Sequence, residues 1–274
     1  MNWSPWKRSS PVSTSTRWIN DIMMDNWWSF PFGVLIAMIS STVGIGGGIL
    51  WMPFLLIFVG LGPGTAVLTS LMIQTVGMGS GTLAYWRQRQ IDKRLAAFLL
   101  LLTLPGIAFG AWLTQSVAPS NLELVLGLLT LFTALIFVSA NQKYGDSGDA
   151  RVDMRRARRY GWAVSLMAVA SGMLSVSIGE WVVPLMRNKM SLRMGVAVAT
   201  SIATIFGVCL LATIFHIMGG ARADWPIVAW AVPGVLIGGQ LGPRLAERIN
   251  DRVLKEIFIF LLTLIGIHLI YNSY

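Results

Sequence analysis

Eight apolar stretches follow one another through this chain, over residues 27–59, 64–86, 95–115, 121–140, 160–186, 194–218, 225–243 and 253–272, and the breaks between them are rich in charge or in glycine and proline. Most approach the roughly 20 residues that a helix needs to cross the hydrocarbon core of a bilayer. A chain patterned this way has little with which to build a water-facing surface. Charged residues make up 12% of it and hydrophobic ones 55%, against about 25% charged in an ordinary soluble domain. Lipid removes the need for polar surface. It also demands that each segment satisfy its own backbone hydrogen bonds, as helices do. The expected fold class is an all-α integral membrane protein.

The net charge of +9 does not point to nucleic acid. The Lys and Arg residues fall in short stretches between apolar runs, as in cytoplasmic loops facing anionic lipid. There is no long basic arm, and no aromatic residue interleaves with basic ones on a polar face. Cys209 is the single cysteine, which excludes an intramolecular disulfide and a multi-cysteine zinc site. It lies in an apolar run and reads as a small packing residue. His216 and His268 have no metal-ligand spacing, so neither a metal nor a cofactor is expected. Trp27, Trp28 and Trp86 read as interfacial anchors.

The chain divides into a polar N-terminal tail (1–26), a first transmembrane repeat (27–140), a basic cytoplasmic linker (141–159) and a second repeat (160–274). The tail is Ser/Thr-rich, carries Lys7, Arg8 and Arg17, and lacks the apolar core and cleavage site of a secretory signal. The two repeats match in order. At an offset of 131, Gly48 pairs with Gly179, Pro53 with Pro184, Ala66-Val67 with Ala197-Val198, and Thr69-Ser70 with Thr200-Ser201. Further on the offset is 128, pairing Pro105-Gly106 with Pro233-Gly234 and Gly110 with Gly238. An internal duplication into two homologous four-segment halves follows.

The first segment of each half is interrupted, by Gly44-Ile45-Gly46-Gly47-Gly48 in one and by Ser175-Val176-Ser177-Ile178-Gly179 in the other. Backbone groups freed by a break at membrane depth must face protein or a water-filled cavity. Interrupted segments at matching places in two halves are the sequence pointer to a transporter's binding site. Loop charges bear on the topology. If all eight segments cross and the N-terminus is inside, inside loops hold 14 Lys and Arg and outside loops 7. If both broken segments enter and return, with the N-terminus outside, the split is 17 to 4. Each half then has three crossings and the halves are inverted. A mixed case, with only the second segment re-entrant, gives 20 to 1 but makes the repeats inequivalent. Inverted halves with broken or re-entrant first segments are the expectation.

The glycine run 44–48 followed by Pro53, Ala66 and Thr69-Ser70, with a second copy around Gly179, Pro184, Ala197 and Thr200-Ser201, resembles the TauE/SafE family of sulfite and organosulfur-anion transporters. The resemblance covers about residues 30–272. It implies movement of small sulfur-containing anions, such as sulfite, sulfoacetate or related sulfonates, across a bacterial cytoplasmic (inner) membrane. The second copy departs from the pattern, with Ser177-Ile178-Gly179-Glu180 where the first has a full glycine run.

Several residues are candidates for binding that anion. Gly46, Gly47 and Gly48 would present amide N–H groups at a half-helix start; alternatively Gly44 and Gly48 form a Gly-x-x-x-Gly packing face. Ser177 and Gly179 are the corresponding residues of the second half. The hydroxyls of Thr69, Ser70, Thr200 and Ser201 either donate to substrate oxygens or bond back to their own helix. Gln74 lies one turn beyond Ser70. Gly44, Pro53 and Pro184 read as helix-break residues. Of the twelve acidic residues, Glu180 is the one inside a membrane segment rather than at its start. A charge there costs on the order of 3 kcal/mol on insertion scales, which makes it a candidate for proton coupling or else a paired structural carboxylate reaching Arg187 or Arg193. Those two arginines are also placed to attract an anion to the mouth of a pathway.

The reading is a secondary transporter. No Gly-x4-Gly-Lys-Ser/Thr run for ATP binding is present, and a membrane enzyme would need an acid–base pair or metal cluster. The alternative is a non-transporting scaffold or assembly factor. The expected partners are a small anionic substrate and the lipid bilayer, with homo-oligomer formation left open.

Overall fold

The structure is a computed structural model describing residues 26–139, 148–245 and 251–272. The tail expected over 1–26 lies outside these residues except for Asn26, as do residues 141–147 of the 141–159 linker. The described residues form ten α-helices: α1 (Ser29–Val43), α2 (Gly48–Pro53), α3 (Pro63–Arg87), α4 (Lys93–Ser116), α5 (Pro119–Ser139), α6 (Met154–Leu174), α7 (Gly179–Met190), α8 (Met194–Met218), α9 (Trp225–Leu245) and α10 (Asp251–Asn272). A π-turn over Phe54–Phe58 continues α2. Six of these helices sit where an unbroken apolar stretch predicts one. The two long stretches each divide in two, 27–59 into α1 and α2 and 160–186 into α6 and α7.

Local chemistry sets these limits. Pro63 occupies the first turn of α3, where its missing N–H costs nothing. The Asp92 carboxylate accepts from Leu95 N at 3.1 Å to cap α4, and Asp224 does the same for Ile227 N at 3.1 Å at the start of α9. Asp153 caps α6 through Arg155 N at 3.0 Å. That cap starts α6 six residues ahead of its apolar stretch, within the arginine-rich run. Arginine is a good helix former, so charge marks the limit of apolar surface and not the limit of the helix.

Three helices, α4, α8 and α9, are by themselves long and apolar enough to cross a membrane. Burial is distributed as lipid solvent requires. Leu101, Phe109, Trp112, Phe132, Trp162 and Phe260 are exposed, while Thr69, Ser70, Gln74, Ser175, Glu180 and Thr200 are buried. In water that arrangement would expose costly apolar area. The protein is a multi-pass membrane protein.

Helix neighbours come in matched pairs across the two halves. The heaviest contacts are α1 with α9 and α4 with α6; α3 also packs on α9 and α4 on α8, α3 on α8, and α5 on α10. Exchanging α1 for α6, α3 for α8, α4 for α9 and α5 for α10 turns this list into itself. The first helix of each half therefore packs on the helix of the other half's third segment. Gly106 and Gly110 bring α4 onto the backbone of α6, and Gly234 and Gly238 bring α9 onto α1.

Each broken segment folds back on itself. At the α1–α2 hairpin, Phe54 meets Trp28 edge-to-face at 5.1 Å and Phe32 at a tilt at 4.8 Å between ring centroids, joining the end of α2 to the start of α1. At the α6–α7 hairpin, Asp149 just before α6 bonds to the chain just after α7, through Asp149 N to Ser191 O at 2.8 Å and Arg193 N to Asp149 O at 3.0 Å.

Candidate functional site

α1 ends at Gly44 in a left-handed conformation, φ +78°, and α6 ends at Ser175 in the same conformation, φ +58°. These residues are 131 apart, the offset of the repeat. Glycine adopts that conformation without penalty, whereas a serine there is uncommon. The four residues that follow each run past those of the other half in opposite directions, with Gly44 beside Gly179, Gly46 beside Ser177, and Gly48 beside Ser175. Gly46 N donates to Ser177 Oγ at 3.0 Å, and the same oxygen accepts from Gly179 N at 3.1 Å. A Cβ on Gly179 would stand 2.6 Å from the Gly44 carbonyl oxygen, and a Cβ on Gly48 would overlap the Ser175 carbonyl. Gly44 makes the break, while Gly46, Gly48 and Gly179 allow two backbones to cross. Gly47 faces into its own half, against Ile36 and Trp51.

A buried polar cluster lies against this crossing. Gln74 Nε2 contacts Ser175 Oγ at 2.7 Å, Ser70 Oγ at 3.0 Å and Ser175 O at 3.1 Å, and Ser175 Oγ donates to Ser70 Oγ at 3.0 Å. The Cys209 thiol approaches Gln74 Oε1 at 3.9 Å. On the other side Ser201 Oγ donates to Gly44 O at 2.9 Å. Ser70 and Ser201, matched in the repeat, therefore each hold the end of the opposite half's first helix.

Glu180 sits in the first turn of α7, where a helix start favours negative charge. It is fully buried, and neither carboxyl oxygen has a hydrogen-bond partner from another residue. Arg187 donates to Leu192 O at 2.9 Å and Arg193 to Gly148 O at 3.0 Å, so the paired-carboxylate alternative finds no partner in them. Ser40 Oγ, beside Gly47, is likewise buried without a partner. An unsatisfied buried polar group costs on the order of 1–3 kcal/mol, and such groups in native structures ask for an explanation.

Thr69 and Thr200 stand apart from this cluster. Thr69 Oγ1 accepts from Asp224 N at 2.9 Å, and Thr200 Oγ1 from Asp92 N at 3.0 Å. Each threonine holds the loop that opens a helix of the other half. Pro53 ends α2 and is followed by the π-turn, whereas Pro184 lies within α7, which runs on to Met190. His216 Nε2 lies 2.7 Å from Gly172 O. Among the described residues no group of three or more His, Cys, Asp or Glu is arranged to hold a metal.

Asp92 and Asp224 did not stand out from the sequence, and Ser175 did so as part of the break and not as a binding residue. Ser175 was visible as the partner of Gly44 at offset 131. Asp92 and Asp224, 132 apart, are the pair that the small drift in offset conceals.

The family model described as sulfite exporter TauE/SafE matches residues 29–269. A probable membrane transporter protein, YunE, of Bacillus subtilis (strain 168) is 25% identical over 262 residues, covering 88% of this chain and 96% of the relative. A probable membrane transporter protein of Xylella fastidiosa (strain Temecula1 / ATCC 700964) is 24% identical, covering 88% and 94%. A second Bacillus subtilis protein, the probable membrane transporter protein YjnA, is 23% identical, covering 83% and 94%. No solved structure matches the chain.

Proposed function

The chain belongs to the sulfite exporter TauE/SafE family, and from that premise we propose that it is a secondary transporter of small sulfur-containing anions across the cytoplasmic membrane, with its site at the crossing of the two bends. One observation carries the reading. Two unwound stretches are buried against each other, and the polar atoms around them include a carboxyl with no partner. Neither a scaffold nor an inert packing contact requires such a centre, and each unsatisfied group there costs stability.

The matched contact pairs and the two hairpins support the inverted arrangement. With both first segments re-entrant, each half has three crossings and the halves are related by an axis in the membrane plane. The Asp149–Ser191 contact brings the start of α6 beside the end of α7, which supports re-entry of that segment over simple crossing. The Trp28–Phe54 contact does the same for the first half. Loop charge then gives the 17 to 4 split, with the basic loops inside.

Gln74, Ser70, Ser175, Ser177 and the amide of Gly46 supply neutral donors once they turn from one another to the substrate, as an oxyanion needs when stripped of water. Thr69 and Thr200 would act indirectly, holding the loops beside the pathway. Glu180 supplies the coupling. Taking up a proton removes its charge and turns one oxygen into a donor, so anion and proton favour each other's binding. Counterflow of labelled sulfite into proteoliposomes tests the reading. Flux above empty vesicles, reduced at least tenfold by Gln74→Leu at equal insertion, is expected. No flux with sulfite, sulfoacetate or other sulfonates would reject it.

A further inference from the structure

Away from the crossing, a cavity of about 1040 Å³ opens between the end of α3, the start of α4, the segment before α6 and the start of α8. Its wall carries Arg87, Arg89, Lys93, Arg94, Arg151 and Arg193, with Asp92 as the carboxylate among them. Asp92 is already engaged. One of its oxygens accepts from Leu95 N at 3.1 Å and the other from Val152 N at 3.0 Å, so it ties the α4 start to the linker. Lys93 lies over the ring of Trp86, 3.7 Å from its centroid, and Trp86 is half exposed at the rim. Six cations therefore converge on one space with a single carboxylate that is spoken for by backbone amides.

We propose that this cavity is a binding site for a ligand carrying two or more phosphates, separate from the transport site. The size and the charge both argue against the transported anion as its occupant. A water takes roughly 30 Å³ of liquid, so a four- or five-atom oxyanion would fill a small fraction of the space. A dianion would also leave most of the six positive charges facing one another. Two or more phosphates supply the missing charge, and arginine binds them in a bidentate fashion. Basic pockets at the cytoplasmic ends of membrane helices suit such groups, and the half-exposed Trp86 places an amphipathic ring at the level where headgroups lie. The phosphates come either from an anionic lipid headgroup or from a soluble diphosphate.

The test uses purified protein in detergent, with thermal unfolding as the readout. Diphosphatidylglycerol, phosphatidylcholine, pyrophosphate, ADP and sulfite are titrated separately against the parent, against the triple variant R89Q/R94Q/R151Q, and against R222Q as a control in another loop. All of these arginines are exposed, and single variants replace the triple one if it does not fold. A shift of several °C with diphosphatidylglycerol but not phosphatidylcholine, kept in R222Q and lost in the triple variant, assigns the phosphates to lipid. The same pattern with pyrophosphate or ADP assigns them to a soluble ligand. No shift with any phosphate compound, a phosphate shift that survives in the triple variant, or an equal shift with sulfite that the triple variant also loses, overturns the proposal.

Discussion

Gly179→Ala puts a single methyl group where the two halves cross. Its carbon would lie 2.6 Å from Gly44 O and 2.6 Å from Ile205 Cδ1, where ordinary contact is 3.4–4 Å. The isoleucine can turn aside. The carbonyl cannot, because Ser201 Oγ holds it at 2.9 Å. The bends must then part by about 0.8 Å, which takes the Gly46 N–Ser177 Oγ bond from 3.0 Å to beyond hydrogen-bonding range. Overpacking costs about 1–3 kcal/mol and the lost bond about 1 kcal/mol more. At about 2–4 °C per kcal/mol for a domain of similar size, unfolding in detergent should begin roughly 4–16 °C lower. Sulfite flux per inserted molecule should fall with it. Gly62→Ala is the control, since nothing lies within 4 Å of its added carbon and its φ of −62° suits any residue. If Gly179→Ala unfolds within a degree of the parent, or Gly62→Ala falls as far, the crossing is not packed as described.

The remaining predictions concern the pairs across the halves and the acid. Thr69→Val and Thr200→Val each strand one backbone N–H, of Asp224 and Asp92 respectively. Each should lower stability by about 1–2 kcal/mol, equally and additively, because the sites share no partner; unequal or non-additive shifts in thermal unfolding would show that the two latches are not equivalent. Glu180→Gln should insert normally and keep flux down a substrate gradient while losing its acceleration by an imposed proton gradient; an unchanged response to pH removes Glu180 from the coupling.

The segments were legible because the bilayer imposes one length on every apolar run, and six helices followed directly from it. The breaks were legible because a glycine run weakens a helix at Gly44–Gly48 and the repeat carries the same place to Ser175–Gly179. Glu180 stood out through its charge alone. What the residues did not reveal is which atoms meet across the halves. Thr69 and Thr200 read as donors to substrate or to their own helix, and the contacts their hydroxyl oxygens accept come from loops more than a hundred positions away, a distance that no local pattern encodes. Gln74 was readable as one turn beyond Ser70, yet its grip on Ser175 depends on that serine taking a left-handed conformation. The start of α6 inside an arginine run escaped notice because hydropathy marks the membrane and not the helix.

The central claim is that the crossing of the bends is the station an anion reaches from either side of the membrane. With Cys209 replaced by alanine and Ser177→Cys introduced, a small, negatively charged, membrane-impermeant thiosulfonate can be applied to one face of sealed vesicles at a time. Labelling from both faces, slowed by sulfite in each case, is the expected result. A cysteine that reacts from neither face, or from one face only and without regard to sulfite, would contradict the account.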